Sequence, residues 1–188
     1  EPDLSPVRSL TVEKGGLLIA DRWGRAQRVT RGGGPRAPAF RLGAGLRDTE
    51  GLQLEPAGTL LLVEDDPARL VRLSETGELL LDLRGESVDT PMTEPQGVAL
   101  DPLSGNILVV DDNEGLNAIF EFAPDLALLS VTPLSDHGRD AEGIAVHAQT
   151  GTLYVGFDSG QRIVVFDYLP TRGEGAAPFD QGPDCPLS

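Results

Sequence analysis

Two glutamates and their neighbours are the residues of this chain whose types and spacing could do chemistry. Glu50 and Glu142 each stand directly before a glycine, and Asp48 and Asp140 lie two residues before those glutamates. Gln96 also precedes a glycine and lies midway between the two glutamates in the sequence. Carboxylate and amide oxygens are the ligands that calcium prefers, and the ion takes about six to eight of them. These five residues therefore form a candidate metal site, provided that the fold brings them together.

The residues that follow these side chains mark an internal repeat. Gly51, Gly97 and Gly143 are spaced 46 residues apart, and Ser9 is a degenerate match 42 residues before Gly51. Each is followed by alternating apolar residues, a Gly-, Pro- or Asp-containing turn and a second apolar run. A period near this length, without a helical 3.6-residue pattern, is typical of propeller blades. The sequence predicts an all-β propeller of about four four-stranded blades.

The repeat also divides the chain into units. We place them at 7–43, 48–84, 94–134 and 140–168. Outer strands are expected at 37–42, 79–83 and 126–131, whereas the fourth unit has no clear one. Residues 169–188 are a Gly/Pro-rich tail that could supply a last strand. A propeller closes its ring or leaves strand edges exposed. Either the tail completes the final blade, or another chain or further residues complete the ring.

The balance of charges excludes one class of partner. The chain has 15 basic and 30 acidic residues, a formal net charge of -15. Nucleic-acid binding rests on a surplus of Lys and Arg, so no nucleic-acid partner is expected. Residues 1–47 nevertheless carry nine basic against four acidic residues, which leaves a net charge of -20 for the remainder. This asymmetry indicates either an ordinary solvated surface or a first unit that docks on an acidic partner or on the acidic part of its own ring.

The apolar runs, the first residues and the single cysteine of the chain bear on its cellular compartment and its redox chemistry. No apolar run approaches the roughly 18 residues of a membrane span. The chain begins at Glu1 without a signal-like segment, which suggests a processed exported protein or an excised piece. We expect an exported protein, in the periplasm, outside the cell or on its surface. Cys185 is the single cysteine, so no intrachain disulfide forms, and its place in the tail argues against a catalytic thiol.

A second acidic set follows the apolar second strands. Aspartate and glutamate at such connections bond to backbone N–H groups and stabilise turns. A structural turn role is therefore predicted for Asp21, Glu64 to Asp66, Asp111, Asp112 and Asp158.

The blades resemble a known superfamily. The carrying segments are Gln96 to Pro102 with Gly105 to Asp111, and Glu142 to Val146 with Gly151 to Val155. They resemble NHL-type and SMP-30-like propellers over residues 7–168. The paired segments Arg47 to Gly51 and Arg139 to Gly143 look most like SdiA-regulated proteins and phytase-like esterase repeats. The resemblance implies a fold and leaves the activity open, because the whole superfamily shares such blades.

The chain also departs from these families. Their propellers usually have five or six blades, and this chain holds material for four. Gluconolactonase-like members carry an Asn-rich calcium site, whereas the asparagines here are Asn106, Asn113 and Asn117. A lactonase assignment is therefore in doubt.

Two functions remain open from the sequence. The first is a non-catalytic module that binds a protein partner or joins a larger assembly, with calcium in its channel as a structural ion. No catalytic residue is assigned in that case, and the channel could also admit a small-molecule ligand. The alternative is a calcium-dependent hydrolase of esters, phosphoesters or lactones. It would use Glu50 and Glu142 as acid and base if their environments separate their pKa values.

Overall fold

Four antiparallel sheets form the blades of a β-propeller. The computed structural model describes residues 4, 6–43, 45–113 and 116–172. Within them, fifteen strands form three four-stranded sheets and one three-stranded sheet, each in sequential order. The predicted all-β propeller of about four blades is confirmed. The sequence also suggested that the tail, residues 169–188, supplies a last strand. Residues 173–188 of this tail lie outside the described part of the chain.

The strands have the following bounds. Blade 1 contains β1 (Val7–Glu13), β2 (Gly16–Asp21), β3 (Arg25–Val29) and β4 (Phe40–Arg41). Blade 2 contains β5 (Thr49–Leu54), β6 (Leu60–Glu64), β7 (Arg69–Leu73) and β8 (Leu79–Arg84). Blade 3 contains β9 (Pro95–Leu100), β10 (Ile107–Asp111), β11 (Ala118–Phe122) and β12 (Leu128–Pro133). Blade 4 contains β13 (Ala141–His147), β14 (Thr152–Phe157) and β15 (Arg162–Asp167).

Helical structure is slight. The described residues include two three-residue 3-10 turns, Gly85–Ser87 and Ala148–Thr150. No helix among them has the length and apolar character that crossing a membrane requires.

The outer strand of blade 1 is shorter than expected. Pairing was predicted over 37–42, but β4 contains Phe40 and Arg41 alone. Pro38 lies within the predicted strand and has no backbone N–H to donate to a ladder. Regular pairing with β3 therefore starts after this proline.

The second strands of blades 2 and 3 are buried on both faces because each of these two sheets lies between two neighbouring sheets. Every residue of β6 and β10 is buried. Leu60 and Leu62 of β6 join the core shared with blade 1, whereas Leu61 and Val63 join the core shared with blade 3. This packing explains the nearly continuous apolar runs in the sequence.

A buried carboxylate at the end of the second strand holds the entry loop of its own blade. Glu64 Oε1 accepts hydrogen bonds from the backbone N–H groups of Arg47 and Asp48. Its other oxygen accepts from the guanidinium of the buried Arg69. Asp111 makes the equivalent pair of backbone bonds in blade 3, at 2.8 and 3.1 Å. The turn role predicted for Asp111 is confirmed, because its Oδ1 also accepts a hydrogen bond from the backbone N–H of Asn113. The backbone bonds of Glu64 go instead to the entry loop, and in both blades the entry-loop bonds fix the start of the inner strand.

Neighbouring inner strands approach closely at two glycines. A Cβ atom on Gly97 would lie 2.9 Å from the carbonyl oxygen of Glu142, and one on Gly51 would lie 2.8 Å from the backbone nitrogen of Val98. Both distances are too short for a side chain, so the glycines permit the packing of β5 on β9 and of β9 on β13. By contrast, a Cβ on Gly143 would meet nothing within 4 Å.

The two environments predict different effects of the same substitution. Gly97→Ala is expected to lower the free energy of unfolding by about 1 to 3 kcal/mol, because the methyl group forces neighbouring backbone apart. Gly143→Ala is the matched control and is expected to change it by less than about 0.5 kcal/mol. Urea denaturation of dilute protein measures both values. Equal destabilisation by the two substitutions would contradict the close-approach explanation.

Candidate functional site

The candidate site is a row of four residues that bulge from the inner strands. Each of the four inner strands pairs with the second strand of its blade, and in each the pairing register shifts at the same place of the repeat. The shifts lie next to Ser9, Gly51, Gly97 and Gly143. The residues at these shifts are Arg8, Glu50, Gln96 and Glu142. A β-bulge bends its strand and re-aims the side chain of the extra residue. The inner strands contact one another in the order β1, β5, β9, β13, so Gln96 lies between the two glutamates.

Arg8 is the member of this row that the sequence reasoning missed. Its Nη1 atom lies 3.6 Å from Oε2 of Glu50. Its positive charge also opposes the rise in the pKa of Glu142. The signal was present in the repeat, because Ser9 is the match of Gly51 and Arg8 directly precedes it. Two carboxylates, one amide and one guanidinium therefore share this part of the propeller.

Glu50 has the most perturbed carboxylate of the row. Its pKa is raised from 4.5 to about 7, chiefly by burial. The negative charges of Asp48, Asp65 and Glu142 contribute to this rise, whereas the positive charge of Arg8 opposes it. A carboxyl with this pKa exchanges its proton near neutral pH, as a general acid or base must. Glu50 is thus the residue of the row best suited to proton transfer.

A second group of acids lies where blade 3 meets blade 4. Burial raises the pKa of Glu142, with further contributions from Asp158 and Asp140. Burial also raises the pKa of Asp112 to about 6, helped by Asp140 and Glu142 and opposed by a hydrogen bond from the Ala141 backbone. These carboxylates therefore share one negative field, which attracts cations and basic partners.

The other predicted ligands have separate surroundings. Asp48 forms a 2.7 Å ion pair with Arg22 of blade 1. Asp140 has a left-handed backbone with φ of 58°, and its carbonyl oxygen accepts from the backbone N–H of Asp158. The carbonyl oxygen of Gln96 lies next to Gly51. Across the described ranges, no three His, Cys, Asp or Glu side chains are grouped so that they could hold a metal ion. Calcium at these residues stays a prediction.

A polar pocket lies beside this row, between blades 3 and 4. It has a volume of about 450 Å³, and its walls include Asp112, Asn117, Ser135, Arg139, Asp140 and Ser159. Both signs of charge and two hydroxyl groups line it, which suits a small polar ligand. A small-molecule ligand stays a prediction.

The two histidines make local contacts. The ring of His137 packs edge-on against Phe166, with centroids 4.9 Å apart. Nδ1 of His147 lies 2.8 Å from Oγ1 of Thr150 in the following turn. Each ring thus has a contact with a residue of blade 4.

Comparisons with known proteins bear on the fold. No protein-family model matches the sequence, and no curated protein does. A chain of a nidogen/laminin complex matches with 17% identity and a TM-score of 0.69, over 87% of this chain and 61% of that one. A gluconolactonase from Xanthomonas campestris matches with 18% identity and a TM-score of 0.67, over 87% and 58%. Virginiamycin B lyase from Staphylococcus aureus matches with 15% identity and a TM-score of 0.61, over 82% and 49%.

These similarities show the β-propeller fold alone, because identity is low and the three proteins differ in activity. This chain spans from 49% to 61% of the length of these three chains.

The raised pKa of Glu50 predicts a pH dependence of stability. The folded state binds this proton more tightly than the unfolded state, so the contribution of Glu50 is full below about pH 4.5 and is lost as the pH rises through about 7. Glu50→Gln carries no charge, so its free energy of unfolding should fall less over that range. At pH 8 the variant should exceed the wild type by on the order of 1 kcal/mol after solvent screening.

Urea denaturation at several pH values checks this expectation. Glu78→Gln is the matched control, because Glu78 is exposed and its substitution should leave the pH profile unchanged. Parallel profiles for the wild type and Glu50→Gln would show that Glu50 titrates normally.

Proposed function

We propose that this chain is a non-catalytic β-propeller module that binds a protein partner through the free faces of its first and last blades. The observation that carries the proposal is the exposure of apolar side chains on both of those blades. Leu10 on blade 1 is 56% exposed, and Ile163 on blade 4 is 69% exposed. Val12 and Val165 on the same strands are exposed as well. Apolar groups clustered in this way mark interaction surfaces.

The inner blades support this interpretation. Leu52 of blade 2 occupies the position of Leu10 and is 5% exposed, because it packs against blade 1. Ile119 of blade 3 occupies the position of Ile163 and is 6% exposed, because it packs against blade 4. The exposed side chains therefore belong to positions that the repeat otherwise uses for contacts between blades.

We also infer that the blades are of the NHL and SMP-30-like type and that the protein is exported or attached to a cell surface. The sequence resemblance and the structural likeness to a gluconolactonase support the first inference. The activity of that enzyme is not transferred, since the identity is 18%. Export rests on the sequence alone and would be tested by fractionating the producing cells.

A calcium-dependent hydrolase is the second candidate, and the pKa of Glu50 is the observation that favours it. Glu50, near pKa 7, and Glu142 could divide the roles of acid and base on an ester, phosphoester or lactone. Two carboxyl groups in different environments can do so. The free apolar faces have no part in this function, and for that reason we place it second.

An activity assay separates the two candidates. The wild type and a Glu50→Gln/Glu142→Gln double variant are offered ester, phosphoester and lactone substrates, with calcium and with a chelator. The binding module predicts no turnover by the wild type above that of the double variant. Turnover that the double variant loses and the Glu78→Gln control retains would replace the module with a hydrolase.

We also propose that the binding module holds calcium in its channel, as a structural ion that takes no direct part in binding the protein partner. The residues that would hold it are Glu50, Gln96 and Glu142, with Asp48 and Asp140 nearby. The negative field of these carboxylates supports the proposal, whereas the guanidinium of Arg8 beside Glu50 competes with a bound cation.

Removal of this competitor should strengthen calcium binding. Arg8→Gln is expected to lower the calcium Kd about tenfold or more, because a positive charge next to the carboxylate is lost. Arg31→Gln removes the same charge from an exposed position and should have little effect. Titration calorimetry measures all three proteins. An absence of binding by both the wild type and Arg8→Gln would refute the calcium proposal.

A further inference from the structure

We infer that two copies of this chain associate head to tail, with blade 4 of one copy packed on blade 1 of the other. The inference rests on the proposed binding function and names its partner. We call the side of a blade that packs on the preceding blade its leading face. The opposite side, which packs on the following blade, is its trailing face. Among the described residues, no blade packs on the leading face of blade 1 or on the trailing face of blade 4, and we call these two the free faces.

The leading face of blade 1 consists of Leu10, Val12, Leu17 and Ile19. Strand pairing places Leu10 opposite Ile19 and Val12 opposite Leu17. The same pairing in blade 2 gives Leu52, Leu54, Leu60 and Leu62. Those four leucines lie in the core between blades 1 and 2. Blade 1 thus presents a complete set of leading-face side chains, with Leu10 and Val12 exposed.

The trailing face of blade 4 consists of Gly143, Ala145, Tyr154, Gly156, Ile163 and Val165. Its counterparts in blade 3, matched by strand pairing, are Gly97, Ala99, Leu108, Val110, Ile119 and Glu121. Leu108, Val110 and Ile119 are buried in the core that they share with blade 4. Tyr154 and Ile163, at the places of Leu108 and Ile119, are exposed, and so is Val165, at the place of Glu121.

Gly143 adds a geometric argument. Gly97 allows β13 to pass close to β9, since a Cβ there would meet the Glu142 carbonyl oxygen at 2.9 Å. Gly143 occupies the equivalent position on β13, and a Cβ atom there would meet no atom within 4 Å. A further inner strand would pass through this open space. A strand such as β1 of a second copy would occupy that space in the way that β13 occupies it at Gly97.

The two free faces are the two halves of one repeated interface. Within the chain, a trailing face meets a leading face three times, between blades 1 and 2, 2 and 3, and 3 and 4. A trailing face of blade 4 and a leading face of blade 1 would make a fourth contact of the same kind. Such pairing is heterologous, because each copy uses two different surfaces.

Charge favours the same pairing. Residues 7–43 contain eight basic and two acidic residues, a net charge of +6. Residues 140–168 contain one arginine and four acidic residues, a net charge of -3. Opposite charges on the two blades would attract during the encounter and would disfavour the pairing of two first blades.

The number of blades argues for a closed pair. Two copies with four blades each make eight, which is within the usual range of about four to eight blades in a propeller ring. A second copy supplies both missing contacts at once.

Sedimentation of the full chain over a range of concentrations tests the inference. The wild type should form dimers. Leu10→Glu on the leading face and Ile163→Glu on the trailing face should each raise the dimer Kd about tenfold or more, because they place a charge within an apolar contact. Leu103→Glu is the control, since Leu103 is an exposed leucine in a turn of blade 3 and should leave the Kd unchanged.

A mixing experiment identifies the faces that meet. The Leu10→Glu copy keeps its trailing face and the Ile163→Glu copy keeps its leading face, so a mixture of the two should associate more tightly than either variant alone. Association through like faces would give no such rescue and would overturn the inference. A wild type that stays monomeric at the highest attainable concentration would overturn it as well.

The outcomes also separate this inference from the function on which it rests. A monomer without hydrolytic turnover would exclude the second copy and leave the free faces for another partner. Turnover that depends on Glu50 and Glu142 would refute the binding module itself.

Discussion

The close approach of neighbouring inner strands is the constraint on which the rest of this structure depends. Sheets that converge on a channel bring their first strands together. Where β9 contacts β5 and β13, a side chain at the point of closest approach would collide with backbone. Gly51 and Gly97 meet this requirement. Once the inner strands are placed, the second strands of blades 2 and 3 are enclosed on both sides, so they are apolar up to the acidic residue that ends each of them. The buried Glu64 and Asp111 then hold the entry loops that lead into the inner strands.

The same geometry explains why polar residues gather where they do. The bulge that precedes Ser9 and each of the three equivalent glycines places Arg8, Glu50, Gln96 and Glu142 at equivalent positions on adjacent strands. Burial and mutual repulsion raise the pKa values of the carboxyl groups, and Arg8 offsets part of that repulsion. The row therefore has the electrostatics of a functional site, while its one guanidinium lowers its suitability for a cation. The side chain of Arg8 therefore decides whether the charge of Glu50 is available to a cation or is balanced within the protein.

The terminal blades follow the repeat even where they have no neighbour among the described residues. Leu10 and Ile163 keep the apolar character of their buried counterparts, Leu52 and Ile119, yet they are exposed. Gly143 likewise keeps a glycine where no strand passes. Exposure of apolar surface is unfavourable in water, and these positions are the ones on which our proposal of a covering partner rests. The structural relatives include both assemblies and enzymes, which is consistent with function residing in the surfaces and loops of a common scaffold.

The sequence by itself determined the blade plan, because the 46-residue spacing and the alternation of apolar residues follow directly from stacked sheets. It also identified Glu50, Gln96 and Glu142 as equivalent residues. The tertiary structure decided what those residues meet. The ion pair between Arg8 and Glu50 joins residues 42 positions apart, and no local pattern specifies such a contact. The sequence also could not show that Leu10 and Ile163 are exposed. An apolar residue that packs on a neighbouring blade and one without such a neighbour occupy the same position of the repeat.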